Sequence, residues 1–315
     1  MNAAKQTRID ICVCTFRRPA VAETMRSLGA LKVPLDVAVR IVVADNDVTP
    51  SARELIDTFS EKIPFEILYV HAPAQNISLA RNACLEAADA DFIAFIDDDE
   101  TASPEWIADL LATARETGAD AVLGPVRAIY GKDAPGWMAK GDFHSTFPVW
   151  VKGTIRTGYT CNMLLRSASP SVSGRRFSLS LGRTGGEDTE FFSGLYHAGG
   201  RIEFARDAWL EEPVPASRSS FSWLAKRRYR SGQTHGRLLS ERHSGINRIV
   251  QIALASAKAG VCFLAAGGFV LFAEKRNRYA LRGILHCGVV GGLLGAREIA
   301  LYGQLSSEEG RRNAA

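Results

Sequence analysis

Four acidic residues in a row, Asp97-Asp98-Asp99-Glu100, directly follow the apolar run Phe92-Ile93-Ala94-Phe95-Ile96. A short apolar run of this kind reads as a buried strand, and in open α/β sheets ligands bind beyond the carboxyl ends of the strands. Side chains two apart on extended backbone share a face, so Asp97 and Asp99 converge. Packed carboxylates repel one another unless a cation neutralises them, and hard divalent ions prefer oxygen ligands. The pattern points to Mg²⁺ or Mn²⁺ held by Asp97 and Asp99 against a diphosphate; the plainer alternative is a solvated acidic turn.

A second pair of carboxylates, Glu187-Asp188, follows Gly185-Gly186 and opens a helical stretch to His197. The glycines permit positive φ and close backbone approach. Acids there are also favoured by a helix N-terminus, so plain capping is the alternative reading. A basic group, Arg227-Arg228-Tyr229-Arg230-Ser231, lies further on. The six cysteines lack metal-ligand spacing and read as buried and reduced. There is no GxGxxG after the first strand, no GxxxxGK[ST] and no HExxH, which removes dinucleotide dehydrogenases, P-loop NTPases and zincins.

The elements that must position these residues alternate in type. Ile9–Phe16, Val37–Ala44, Phe65–His71, Phe92–Ile96 and Asp120–Ala128 read as strands. Helices fall between them: one from Pro19 to Leu31, one capped by Ser51 and Glu54, one over Ser78–Ala88, and one from Ser103-Pro104 to Gly118. Such alternation implies βαβ units and a mostly parallel sheet flanked by helices. After Ala128 comes an irregular stretch to residue 151, a strand over Ile155–Arg166, the helix from Glu187 and a last strand over Arg201–Ala205.

The 315 residues carry 38 Lys and Arg against 34 Asp and Glu, unevenly spread. Between Arg218 and Arg297 fourteen basic residues face only Glu241 and Glu274, a net of +12. The acidic remainder argues against nucleic acid as a partner, whereas the basic, apolar end suggests a membrane surface. Ile252–Ala273 is uncharged apart from Lys258 and about long enough to span a bilayer; Gly283–Ala296 is shorter. Basic residues flank the first run on both sides, which disfavours a spanning hairpin and favours helices lying in or dipping into one leaflet. A buried helical hairpin is the alternative, and the GxxxG at Gly291–Gly295 does not choose between them. The first ten residues hold no apolar run of signal-peptide length.

Five segments in order carry a family resemblance: VCTFRRP at 13–19, VVADN at 42–46, NISLARN at 76–82, DDD at 97–99 and GGED at 185–188. Together they resemble the inverting family-two glycosyltransferases of GT-A fold over roughly residues 8–232. Longer stretches, such as GDFHSTFPVWVKG, resemble a glucosyltransferase of exopolysaccharide biosynthesis within that family. The resemblance implies a GT-A catalytic domain over 1–217, with a nucleotide-binding half to 128 and an acceptor-binding half from 129. A basic, helical, membrane-associating region follows over 218–315.

It further implies transfer of one glucose, through a β-1,4 bond, from a UDP-sugar to a polyprenyl-diphosphate-linked oligosaccharide. The place would be the cytoplasmic face of the inner membrane, with the enzyme peripheral or monotopic. Thr15 and Phe16 would lie near uracil, Phe16 by packing only, with a core position as its alternative. Asp45 would bond the uracil ring, or simply form the turn before Pro50. Arg81 would approach the nucleotide; Asp97 and Asp98 would face ribose and donor sugar, and Asp99 would ligate the metal. Glu187 would join them, and Asp188 would be the general base. Arg227 and Arg230 match a basic segment whose usual Gln and Trp are missing here. They would hold the diphosphate or face lipid.

Two other functions fit parts of the pattern. Asp97 to Thr101 fits the DxDxT of haloacid-dehalogenase-type phosphatases, although there the motif sits on the first strand. A catalytically silent UDP-sugar-binding subunit would need no Asp188.

Overall fold

Residues 6–299 are described by a computed structural model; 1–5 and 300–315, including the end of the expected C-terminal region, lie outside the described residues. Three strands are buried on both faces, as their unbroken apolar runs require. They are β1 (Thr7–Thr15), β2 (Val37–Asp45) and β4 (Phe92–Asp97), with β3 (Glu66–His71) beside β2. The helices between them are α1 (Val21–Gly29), α2 (Arg53–Asp57) and α3 (Ile77–Ala87). Next come β5 (Thr101–Ala102), α4 (Trp106–Thr117), β6 (Ala121–Leu123), β7 (Val126–Tyr130) and α5 (Gly136–Gly141). The chain continues through β8 (Trp150–Val151), β9 (Thr154–Ile155), β10 (Asn162–Arg166), α6 (Glu187–His197), β11 (Ile202–Phe204) and β12 (Leu210–Val214).

Seven strands form the main sheet in the order β11-β6-β10-β4-β1-β2-β3. All its pairs are parallel except those of β10, which runs antiparallel to β4 and β6. The strand period of two sorts side chains into two cores. Ile9, Ile11, Val13, Ile41 and Val43 pack with Met25 and Leu28 of α1 and Trp106 and Leu110 of α4. Cys12, Val42, Ala44 and Phe95 pack on the other face with Cys84 of α3 and Phe191, Phe192 and Leu195 of α6.

Three local expectations change, and one strand is unannounced. Asp120–Ala128 is not one strand: Pro125 has no amide to donate, and it separates β6 from β7 next to Gly124, where a Cβ would fall 2.5 Å from Asn162 and the Ala208 carbonyl. It continues as β7 into a small sheet ordered β5-β12-β7. Ile155–Arg166 likewise divides into β9 and β10. Ser51 does not cap α2, whose N-cap is Ala52; the Ala52 amide is held by Asp45 Oδ2 at 2.8 Å, and the Ser51 hydroxyl bonds Asp47 instead. The strand β12 carries Glu211, Glu212 and Pro213 and does not read as one. Gly118 closes α4 with φ +68°, as its position predicts.

The described chain forms two compact units. One runs to Ile129 and adds His144–Gly182 and Glu187–Val214; the other takes Tyr130–Phe143, Arg183–Gly186 and the chain from Pro215. The second unit contains α7 (Phe221–Arg242), α8 (Gly245–Gly268) and α9 (Ala273–Leu293). Here α7 and α9 meet backbone to backbone: a Cβ on Gly232 would stand 2.0 Å from the Leu285 carbonyl, and one on Gly292 2.2 Å from that of Gln233. The stripe in use is Gly232/Gly236 against Gly288/Gly292, small residues that let helices approach closely. Gly295 of the sequence-level motif lies beyond the end of α9.

Among the described residues α8 is the one helix long and apolar enough to cross a membrane, with mean hydropathy 1.8 and only 17% of that window buried. Ile246, Ile249, Val250, Leu254, Val261 and Leu264 are exposed along it.

Candidate functional site

Parallel pairing brings the carboxyl ends of three strands level. Thr15 pairs with Asp45, and Cys14 with Asp97, so β1, β2 and β4 deliver their last residues to one edge. Beyond β4, Asp98 is buried and doubly held: Thr15 donates its hydroxyl to Oδ2 at 2.8 Å and Arg18 donates Nη1 to Oδ1 at 2.9 Å. The same Arg18 Nη1 stands 2.6 Å from Asp99 Oδ2. Behind the cluster, Glu100 accepts the Asp97 amide at 3.0 Å, and Thr24 of α1 donates to the Glu100 carbonyl at 2.8 Å.

The charges are crowded. Burial pushes the Asp98 carboxyl up to about 7, with Arg18 pulling it down and Asp99 adding repulsion. Partial loss of hydration also raises Asp97, opposed by Arg81 and reinforced by Asp99. Glu100 is pushed well above the usual carboxylate range by burial and then by Asp97.

Arg81, on α3, joins the two acidic groups. Asn76 caps that helix by accepting the amides of Ser78 and Leu79, which sets the phase that turns Arg81 inward. Arg81 Nη1 lies 2.5 Å from Glu187 Oε1, and Nη2 lies 3.8 Å from Asp97 Oδ1. Burial works against its charge, but Glu187, Asp97 and Asp188 offset this and hold the guanidinium above its ordinary range. Glu187 and Asp188 open α6, where Asp188 Oδ1 accepts the Thr189 amide at 2.6 Å.

The remaining expected residues have the following surroundings. Asp45 is fully buried and accepts from Asp47 N, Ala52 N and Tyr69 Oη at 2.7–3.0 Å, so its carboxylate organises the turn after β2. Phe16 is half-buried, with the Arg17 guanidinium 5.5 Å from its ring centre. Arg227 and Arg230 lie in the second unit. There Arg227 stacks on Trp223, and buried Arg230 lies against Gly185, where a Cβ would fall 1.7 Å from Nη2. Gly185 and Gly186 have φ +83° and +89°, so this turn needs glycine for both reasons.

Among the described residues no group of three or more His, Cys, Asp and Glu side chains is gathered to hold a metal ion. The half-open Asp97 side chain and the partly buried Asp99 supply one or two carboxylates. That donor set suits Mg²⁺ or Mn²⁺ completing its shell with substrate phosphates and water, not an all-protein cage. The expected ligands Asp97 and Asp99 therefore fit a cation shared with a diphosphate. Sequence reasoning gives Arg18 no role; a basic residue at the carboxyl end of β1, ahead of Pro19, was the available signal.

A model of the family described as Glycosyl transferase family 2 matches residues 10–173. The chain is 60% identical over 295 residues to the succinoglycan biosynthesis protein ExoM of Rhizobium meliloti (strain 1021), covering 94% of this chain and 96% of that one. Its fold is shared with the mannosyltransferase PcManGT from Pyrobaculum calidifontis, solved with GDP-Man and Mn²⁺: TM-score 0.63, 15% identity, 93% of this chain and 88% of that one. It is also shared with residues 1–349 of S. aureus TarS, solved with UDP: TM-score 0.53, 17% identity, 92% of each chain. The expected GT-A architecture holds. The phosphatase alternative loses its footing, since the acidic motif follows the fourth strand of a matched glycosyltransferase sheet.

Proposed function

This chain belongs to glycosyl transferase family 2, and we propose on that premise that it adds one sugar from a UDP-sugar to a lipid-linked oligosaccharide in succinoglycan-type exopolysaccharide biosynthesis. The 60% identity to ExoM supports the pathway. Glucose as the donor sugar and a β-1,4 bond are the finer part of the proposal. The observation that carries it is the Arg81 guanidinium, whose Nη1 lies 2.5 Å from Glu187 Oε1 and Nη2 3.8 Å from Asp97 Oδ1, which supports one site built from both acidic groups.

In this mechanism Asp97 and Asp99 present carboxylates to the cation that accompanies the diphosphate. When bound, that divalent ion supplies Lewis-acid stabilisation of the charge developing on the departing UDP. Thr15 and Arg18 fix Asp98, which faces the ribose and donor sugar. Arg81, held by Glu187, lends positive charge beside the nucleotide. Asp188, oriented by the Thr189 amide, accepts the proton of the acceptor hydroxyl as that oxygen attacks the anomeric carbon opposite UDP. One displacement inverts the anomeric centre, so no nucleophilic side chain is required. Asp188 also sets this reading apart from a silent sugar-nucleotide-binding subunit.

The acceptor is a polyprenyl-diphosphate-linked oligosaccharide at the cytoplasmic membrane face. Support comes from the uncovered apolar side of α8 and the basic residues of α7 and α9, which suit an anionic lipid surface. Asp188→Asn tests the assignment. Donor binding persists while transfer falls about 10²–10⁴-fold, the usual loss for a missing general base. Near-normal turnover would return Asp188 to helix capping.

A further inference from the structure

Asp98 and Asp99 carry a cation already. Arg17 cannot be that cation: with φ +50° it turns to Asp47, 2.7 Å away. Arg81 is committed to Glu187 and Asp97. Among the described residues, Arg18 is the basic group paired with either carboxylate, and one nitrogen, Nη1, serves both. The two carboxylates are unequally bound. Asp98 is buried and keeps the Thr15 hydroxyl whatever Arg18 does, whereas the more open Asp99 is held in the cluster by Arg18. The Arg18 side chain is 40% exposed, so it has room to leave.

We propose that Arg18 is a resident counter-cation that closes the Asp98–Asp99 pair in the nucleotide-free protein and must release Asp99 before a divalent metal can bind there. This rests on the metal-dependent reading of the site given above. Arg18 and the incoming ion are alternatives for the same oxygen, so the free enzyme binds metal weakly. A diphosphate reverses the balance by bringing its own negative charge, which draws both the ion and the freed guanidinium. Guanidinium pairs well with phosphate oxygens in a forked geometry, so Arg18 exchanges one anionic partner for another. Arg18 is thus a positioning residue that makes metal and nucleotide arrive together.

The test is Mn²⁺ binding to the full chain, followed by electron paramagnetic resonance without nucleotide and again with saturating UDP. Arg18→Gln removes the competing charge, and the near-isosteric Arg18→Met serves if the first variant folds poorly. Without UDP, the neutral variant binds Mn²⁺ at least tenfold tighter than the native protein, Arg18→Lys stays near native, and the tightening caused by UDP shrinks in the neutral form. In EDTA the neutral variant melts at a lower temperature, and Mn²⁺ restores the loss. A purely structural role for Arg18 predicts the opposite sign, weaker metal binding on its removal. Unchanged or weaker nucleotide-free Mn²⁺ binding, with UDP-dependent binding intact, overturns the role of Arg18 and leaves the proposed function standing. Absence of Mn²⁺ binding in every form, with or without UDP, overturns both.

Discussion

Glu187→Gln removes the negative partner of a buried ion pair while keeping the side-chain shape. Arg81 and Glu187 are 7% and 6% exposed, with Nη1 and Oε1 2.5 Å apart. With charge centres about 4 Å apart and an effective dielectric near 20, the attraction is about 4 kcal/mol. The glutamine carbonyl still accepts a hydrogen bond, which returns about 1 kcal/mol. Asp97, at 3.8 Å on the other side, recovers part of the rest. The net cost is about 2–3 kcal/mol, at the lower edge of what breaking a buried pair incurs. Urea unfolding of the native chain, Glu187→Gln, Arg81→Gln and the double variant gives the coupling directly. The double variant is no less stable than either single one, because each single substitution strands a partner. A Glu187→Gln cost under about 0.5 kcal/mol, or additive single costs, would show that the pair does not hold the site together.

Three further outcomes follow from other parts of the molecule. Gly232→Ala drives a methyl against the Leu285 carbonyl and costs about 3 kcal/mol, read as a lower denaturation midpoint; a silent substitution would mean that α7 and α9 do not cross this closely. The thiols of Cys12, Cys14, Cys84 and Cys161 are raised, Cys12 and Cys161 first by burial, Cys14 and Cys84 first by thiol–thiol hydrogen bonds. They therefore stay neutral below pH 9, and Ellman's reagent at pH 8 modifies no more than Cys262 and Cys287 until the protein is denatured. Replacing exposed Leu254, Val261 and Leu264 by Ser leaves stability unchanged but weakens binding to anionic liposomes roughly a hundredfold, about 1 kcal/mol per side chain; unaltered liposome binding would remove α8 from the membrane contact.

The sequence is most legible where burial dictates composition. β1, β2 and β4 are apolar on both faces because helices cover both sides of the sheet, and the residue after such a run must emerge at the ligand-binding edge. Hence the Asp97–Asp99 group reads from the chain alone as lying at that edge, whereas Thr15 and Asp45 draw attention only through the family resemblance. Long-range choices are not written locally. Glycines at 288, 291, 292 and 295 offer two overlapping GxxxG pairs, and only the α7 backbone selects the first. The acidic, Pro-containing β12 is stabilised as a strand by pairing with β5, which no local pattern announces. Arg18 stands out in sequence only as one of two adjacent arginines; its importance comes from the turn that sends Arg17 to Asp47 and leaves Arg18 over the carboxylates.

Sugar transfer driven from this one acidic edge would show in the mass of a lipid-linked product. Full-length protein, Mn²⁺, individual UDP-sugars and a lipid extract containing polyprenyl-diphosphate-linked oligosaccharides are incubated and the lipid-linked products analysed by mass spectrometry. A lipid-linked product one hexose heavier is expected with UDP-glucose, its added sugar released by a β-glucosidase, and it is lost with Asp188→Asn or EDTA. No mass gain with any UDP-sugar, accompanied by phosphate release from a simple monoester, would contradict it.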